Sequence, residues 1–155
     1  MSTTGEWVLL CYRLPREPST PRIAVWRRLK ALGVAQLADG LVTLPSDART
    51  REQLEWIGQE VVEAGGEASI WLARPATAEQ ERQLAVRMAA ARSAEYDEVS
   101  AAAAQAGGDR RTAERLRAQL RRIGRRDYFP PAERDRAQAA VAALFEGVRD
   151  EVAPA

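Results

Sequence analysis

The densest group of residues able to do chemistry is a run of arginines between Asp109 and Arg126. This segment, DRRTAERLRAQLRRIGRR, holds eight arginines and two acids, so it carries a local charge of +6. At roughly 100° per residue, its leucines and isoleucine fall on one side of a helix and its arginines on both flanks. Arginine offers paired donors to oxyanions and releases counterions on neutralising phosphate, so the pattern indicates nucleic-acid binding. The candidate DNA-binding residues are Arg111, Arg115, Arg117, Arg121, Arg122, Arg125 and Arg126.

Two other interpretations of this basic helix stay open. Its arginines could instead form a solvated face and pair with acids of a neighbouring helix, for which Glu79, Glu81, Asp97 and Glu98 are candidates. A basic amphipathic helix can also lie on an anionic membrane. Its apolar side lacks the large aromatic residues typical of that use, so we expect no membrane partner.

A second basic group lies near residue 25, where Arg22, Arg27, Arg28 and Lys30 occur within nine residues that contain no acid. Arg22 falls in the first turn of a predicted helix, close to free amide groups that favour anions. The sequence therefore suggests an oxyanion site formed by Arg22, Arg27 and Lys30. The alternative is structural, with Arg22 capping local backbone and the other cations solvated.

Several function classes are excluded or disfavoured by composition. The 155 residues include no histidine, which removes histidine-dependent nucleophiles and histidine-ligated metals. The only cysteine, Cys11, excludes an intrachain disulfide, and its alternation with Trp7 and Leu9 predicts a packed, inert thiol. No carboxylate pair or glycine-rich phosphate loop is recognisable. We therefore expect neither an enzyme nor a cofactor nor a metal site.

Composition also bears on location. The chain is 46% apolar and 29% charged, with a net charge of +1, which is typical of a soluble globular protein. Residues Met1 to Glu6 are mostly polar, and no apolar run approaches the ~20 residues that span a bilayer. We expect no signal peptide or anchor, and a single cysteine suits a reducing cytoplasm.

The elements that would position these residues follow from periodicity and turn signals. Thr20-Pro21 predicts a helix start, Asp39-Gly40 a tight hairpin, and Thr50 with Gln53 a capping box. The predicted order is strand 6–14, helix 20–32, strands 34–38 and 41–44, helix 50–64, and strand 68–73. That order predicts a ferredoxin-like α+β unit, in which a four-stranded antiparallel sheet carries two helices on one face.

The remainder of the chain is predicted to be all helical. All four tryptophans lie before Pro75, and alanine becomes abundant after it. We therefore place a domain boundary at Pro75, between a unit at 6–75 and an extension at 76–155. The extension is predicted to contain helices at 78–105, 110–124 and 131–152, separated by Gly107-Gly108 and by residues 127–131.

These segments resemble a known family. The similarity lies in WVLLCYRLP at 7–15, R-x-x-x-W-R-x-L-K-x-x-G at 22–33, L-x-D-G at 37–40, Leu44-Pro45 and RDYF at 126–129. Together they resemble the amino-terminal domain of the ChrB chromate-resistance regulators. The resemblance implies a cytoplasmic protein linked to chromate resistance, in a family that acts as chromate-responsive transcriptional regulators of a chromate efflux operon. Full-length ChrB proteins resemble a fusion with a second, carboxy-terminal domain, so we expect sensing residues housed there to lie outside this sequence.

A weaker similarity, in the strand-LP-helix pattern, is to the central domain of the PaaX repressor and to CRISPR-associated ferredoxin-like endonucleases. Those nucleases place an aspartate at the end of the first strand, where this chain has Tyr12-Arg13. Metal-dependent cleavage is therefore disfavoured, because a hard cation needs oxygen ligands.

Three functions from different classes follow. The first is a regulatory domain that binds DNA phosphates through basic helices, with the ferredoxin-like unit forming a homodimer. The second is a non-catalytic dimerisation or protein-interaction module. The third is an oxyanion-binding domain for chromate or sulfate at Arg22, Arg27 or Lys30. Fold alone does not choose among them, because ferredoxin-like units host many activities.

Overall fold

The computed structural model describes residues 4–152, with side chains described up to residue 149. The first three residues of the polar amino terminus and the last three of the predicted extension lie outside that range. The described chain is α+β, with a four-stranded antiparallel sheet and five helices. The elements are β1 (Trp7–Arg13), α1 (Thr20–Leu32), β2 (Ala35–Ala38), β3 (Leu41–Pro45), α2 (Ala48–Glu63), β4 (Glu67–Ala73), α3 (Ala78–Gln105), α4 (Arg110–Arg125) and α5 (Glu133–Val152).

The sheet confirms the predicted ferredoxin-like arrangement. Its strand order is β2-β3-β1-β4, and every neighbouring pair is antiparallel. The apolar strand β1 is interior to the sheet, and its Val8 and Leu10 side chains are fully buried. Helix α2 packs on this face, where a Cβ built on Gly58 would lie 3.4 Å from Leu10 Cδ1.

The predicted hairpin at Asp39-Gly40 joins β2 to β3. Gly40 has φ 72°, in the left-handed region that glycine adopts without a steric penalty. The hairpin packs against the end of β1, because the Tyr12 amide donates to the Gly40 carbonyl over 2.8 Å. A Cβ at position 40 would lie 2.3 Å from the Tyr12 carbonyl oxygen, so this close approach also requires glycine.

Two helix starts differ from their predicted positions. Ser19 rather than Thr20 is the N-cap of α1, and its side chain makes no capping hydrogen bond. Helix α2 begins at Ala48, because Asp47 and Thr50 form the capping box. The Asp47 carboxylate accepts from the Thr50 amide over 2.8 Å, and the Thr50 hydroxyl accepts from the Asp47 amide over 3.0 Å. Thr50 is therefore the third helical residue, not the cap that its spacing to Gln53 suggested.

The chain groups into two compact units, Met1–Arg87 and Met88–Ala155. Helix α3 begins in the first unit and continues into the second, so the predicted domain boundary after Pro75 stays a prediction. The second unit has its own core, formed by residues of α3, α4 and α5 that include Tyr96, Val99, Leu116, Ile123 and Val141.

A helix that crosses a bilayer needs about 20 predominantly apolar residues. Within 4–152, no helix is both long enough and apolar enough to cross a membrane.

Candidate functional site

Helix α4 is anchored by its apolar side and by its first turn. Ala113, Leu116 and Ile123 are buried in the core of the second unit. Asp109 caps the start, where its carboxylate accepts from the Arg111 amide over 3.1 Å and from the Thr112 hydroxyl over 2.7 Å. Both hydrogen bonds lower the pKa of Asp109, and the bond from Thr112 has the larger effect. These contacts fix which side of α4 is exposed.

The exposed side of α4 carries five of the predicted arginines. At about 100° per residue, they fall within an arc of roughly 120° opposite the buried side. All five are exposed. We call this set the arginine face, and its members are Arg111, Arg115, Arg121, Arg122 and Arg125.

The acids nearest to the arginine face neutralise little of it. Glu114 lies on the same side of α4 and forms its ion pair with Arg110 over 3.2 Å. In the part of the chain that the structure describes, no carboxylate forms an ion pair with Arg115, Arg121 or Arg122. Arg115, Arg121 and Arg122 therefore present their charge to solvent.

The two remaining predicted DNA-binding residues have partners within the protein. The Arg117 guanidinium stacks over the Phe145 ring of α5, 4.2 Å from its centroid. Arg126 forms an ion pair with Glu95 of α3 over 3.0 Å, and its side chain is only 21% exposed. The interpretation in which arginines pair with a neighbouring helix thus describes Arg126, although its partner is Glu95 rather than the four acids predicted.

A polar network surrounds Arg126 within the second unit. Arg92 donates to the Arg126 carbonyl over 3.2 Å, and its Nε lies 3.1 Å from Glu95 Oε2. Beside them, the buried Tyr96 hydroxyl donates to Asp127 Oδ2 over 2.8 Å. Burial, and then this hydrogen bond, raise the pKa of Tyr96 well above its ordinary value. Through these contacts, the side chains of Arg126 and Asp127 attach the carboxy-terminal end of α4 to α3.

The second basic group is divided by the structure. Arg22 lines a cleft of about 930 Å³ between the end of β1, the start of α1 and the β2–β3 hairpin. Arg27 and Lys30 are exposed on α1 but do not line this cleft. Arg28 forms an ion pair with Glu60 of α2. The three predicted oxyanion ligands are therefore not brought together at one cleft.

The cleft itself mixes basic, acidic and hydroxyl groups. Arg13 and Ser19 line it together with Arg22, and the acids at its wall are Asp39 and Glu67. The pKa of Tyr12, which also lines the cleft, is raised mainly by burial, while Arg22 acts to lower it and Asp39 to raise it. Arg13 was not among the predicted ligands. The signal that could have identified it is its position as the last residue of the central strand β1, where the strand opens onto the cleft.

The prediction that Cys11 is packed is wrong, because Cys11 is exposed and lines the same cleft. The alternation with Trp7 and Leu9 is correct, but the cover on that face of β1 is partial. The start of α3 covers Trp7, whose indole N–H donates to Glu81 over 2.9 Å. That cover does not extend to the other end of the strand.

In a chain without histidine, carboxylate and thiol groups are the side chains most able to ligate a metal ion. Among residues 4–152, no three or more carboxylate or thiol groups are placed to hold a metal ion.

Comparison with known proteins gives two matches. The family described as Protein ChrB, N-terminal, matches residues 22–109. Protein ChrB of Cupriavidus metallidurans is 32% identical over 97 residues, which is 63% of this chain and 29% of that relative. The chain thus corresponds to less than a third of the relative's length, and the family match ends immediately before α4 begins.

Proposed function

The chain belongs to the family of ChrB amino-terminal domains, and we propose that it is a DNA-associated regulatory domain of chromate resistance that binds phosphates through α4. The observation that supports DNA binding is the arginine face, five exposed cations on the outer side of one helix. The proposal gives the domain a cytoplasmic location and no enzymatic step.

The dimensions of the arginine face suit a nucleic-acid backbone. Arg111 and Arg125 are separated by about 21 Å along the helix axis, at 1.5 Å per residue. One strand of B-DNA advances 3.4 Å per nucleotide, so this length faces several successive phosphates. Contacts of this kind supply affinity and orientation, whereas sequence choice needs base or shape readout.

Arg117 and Arg126 have a different role in this proposal. Their contacts with Phe145 and Glu95 fix α4 against α5 and α3, so they hold the arginine face in place rather than contact phosphate. Removing either one would therefore change the stability of the second unit as well as binding.

The test is a titration of a labelled duplex from upstream of the protein's own gene, followed by fluorescence anisotropy. The double variant Arg115→Gln/Arg122→Gln is expected to weaken binding at least about tenfold at low salt, because two phosphate contacts are lost. The matched control is Arg51→Gln/Arg149→Gln, which removes the same charge from exposed positions on α2 and α5 that, like Arg115 and Arg122, form no ion pair within the described residues. Equal losses in both variants would mean that net charge, not the arginine face, governs binding.

A second candidate function is oxyanion binding in the cleft at the start of α1. The observation that favours it is that Arg13, Arg22 and the Ser19 hydroxyl line one cleft, and the Ser19 side chain makes no capping bond. Guanidinium and hydroxyl donors suit a tetrahedral oxyanion such as chromate or sulfate. Asp39 and Glu67 in the same wall oppose an anion, so the affinity depends on how far the arginines outweigh them.

Calorimetry with chromate and with sulfate tests this candidate. We expect binding heat that is lost in Arg22→Gln and retained in Arg27→Gln, since Arg27 lies on the same helix outside the cleft. Absence of heat with the unaltered protein would remove oxyanion binding by this domain.

A further inference from the structure

The two edges of the sheet differ in how they are protected. Edge strand β2 is short, its register with β3 is interrupted between Gln36 and Ala38, and Arg87 donates to the Gln36 carbonyl over 3.0 Å. Short length, irregular pairing and a covering charge are the features by which proteins block edge-to-edge association.

Edge strand β4 has none of these features. It pairs with β1 in unbroken register along all seven residues from Glu67 to Ala73. It contains no proline or lysine, and within the described part of the chain β1 is the only strand that pairs with it. Every second residue of β4 therefore directs its backbone N–H and C=O groups away from the sheet.

The side chains of β4 are apolar where an edge would ordinarily be polar. Trp71 is 59% exposed and Leu72 is 45% exposed, one on each face of the sheet. Exposed Val62 of α2 lies roughly 200° around its helix from Glu60, and Glu60 bonds to Arg28 of α1. Val62 therefore faces away from α1, on the flank next to β4. A long, regular, apolar edge is a template for another strand.

We propose that β4 pairs with β4 of a second copy of this chain, in antiparallel register, to form one continuous eight-stranded sheet across a two-fold axis. A two-fold axis perpendicular to the sheet pairs residues that lie at equal distances on either side of the axis. If all seven residues of β4 pair, the axis passes through the middle residue of the strand, Ile70. Glu67 then lies opposite Ala73 of the second copy and next to its Arg74, while Ser69 lies opposite Trp71.

The charges at the two ends of β4 select this occupant. Glu67 and Arg74 are both exposed and stand at opposite ends of the strand. Antiparallel pairing places the acidic end of each β4 beside the basic end of the other, twice per dimer, whereas parallel pairing would align like charges. Glu67 and Arg74 leave opposite faces of the sheet, and Arg74 donates to the Thr4 carbonyl of its own chain over 2.5 Å. The attraction therefore acts between the ends of the strands and not through a direct ion pair. Isologous two-fold contacts are also the commonest form of homo-oligomer.

The native Cys11 reports the register without any substitution. Cys11 lies opposite Ser69 on β1, one strand in from the edge. The proposed dimer separates the two Cys11 residues by three strand spacings and an offset of two residues, or about 16 Å between Cα atoms. A nitroxide attached to Cys11, which is exposed, should give a single inter-spin distance matching this separation plus the two label arms.

The association itself is tested by sedimentation of the unaltered chain over a range of concentrations, without DNA. We expect a monomer–dimer equilibrium, with amide exchange of residues 67–73 slowing as dimer forms. Trp71→Lys should raise the dimer dissociation constant at least about tenfold. Trp56→Lys is the matched control, because Trp56 is 67% exposed on α2 and lies outside the proposed interface.

Two results would overturn the proposal. One is a monomer at every concentration tested, and the other is a dimer in which residues 67–73 exchange as fast as in the monomer. If Trp71→Lys does not fold, the spin-label distance in the unaltered chain decides the register. The test does not depend on DNA binding, so either proposal can fail without the other.

Discussion

Tyr96 and Asp127 hold the end of α4 through a single buried hydrogen bond. Tyr96 is 2% exposed, and its hydroxyl is the donor to Asp127 Oδ2. Within the described residues, the other carboxylate oxygen of Asp127 is buried without a hydrogen-bond partner. This carboxylate therefore depends heavily on the tyrosine.

Replacing Tyr96 by phenylalanine should destabilise the protein by about 1–3 kcal/mol, because it leaves a buried carboxylate oxygen unpaired. Chemical denaturation followed by circular dichroism measures the change. Tyr12→Phe is the control, since it removes a hydroxyl for which the described contacts include no hydrogen bond. Equal losses in the two variants would contradict the role of the Tyr96–Asp127 bond.

The same bond should make stability depend on high pH. The pKa of Tyr96 is raised in the folded protein, so its contribution is complete below the ordinary tyrosine pKa of about 10 and declines as pH rises above it. We expect the stability difference between the unaltered protein and Tyr96→Phe to shrink above pH ~10. A constant difference from pH 8 to 11 would contradict this.

The residue scale is where sequence reasoning was least complete. The arginine run and its apolar side were predictable, because helical spacing alone sorts Leu116 and Ile123 from the basic positions. The contacts of Arg117 with Phe145 and of Arg126 with Glu95 were not, since they join residues far apart in sequence. Cys11 shows the same limit: alternation predicts the face of a strand but not how far a neighbouring helix covers it.

At the scale of elements, the helix caps determine where α1 and α2 begin. Asp47→Ala should cost about 0.5–2 kcal/mol, because it removes the side-chain acceptor of the α2 capping box. Ser19→Ala provides the comparison at the start of α1, where the side chain makes no capping bond, and should cost less. Thermal unfolding of both variants measures the difference, and a reversed order would contradict the capping assignment.

The β2–β3 hairpin gives a second comparison between elements. Gly40→Ala should be markedly more destabilising than Gly65→Ala, although both glycines have positive φ. Left-handed backbone costs alanine about 1–2 kcal/mol at either site. At position 40 the added Cβ also meets the Tyr12 carbonyl, whereas position 65 has open space. Denaturant unfolding should therefore separate the two variants, and equal losses would exclude the close approach to β1.

Element order and type were predictable from the sequence because each turn has its own chemistry. Asp39-Gly40 fixed the hairpin, and Gly33 ended the first helix with φ 80°. The capping box was misplaced by three residues because Asp47 and Thr50 both satisfy cap preferences. Only the observed pair of hydrogen bonds identifies Asp47 as the cap.

At the scale of the whole molecule, charge is segregated rather than abundant. The total is +1, so the +6 segment at 109–126 leaves the rest of the chain net negative. A protein whose +1 charge were spread evenly over its surface would attract DNA weakly. A local basic face can bind phosphate even though the net charge of the whole chain is small. The fold places that basic segment with five arginines outward, and this is the basis of the DNA-binding proposal.

The most direct test of the account is the salt dependence of binding to the upstream duplex, with a scrambled duplex as competitor. Each neutralised phosphate contributes about 0.9 to the slope of log K against log salt concentration. Full engagement of the five arginines predicts a slope of about −4.5, and binding that survives the competitor would add sequence or shape readout. Absence of binding at low salt, or a slope near zero, would contradict phosphate contact by α4.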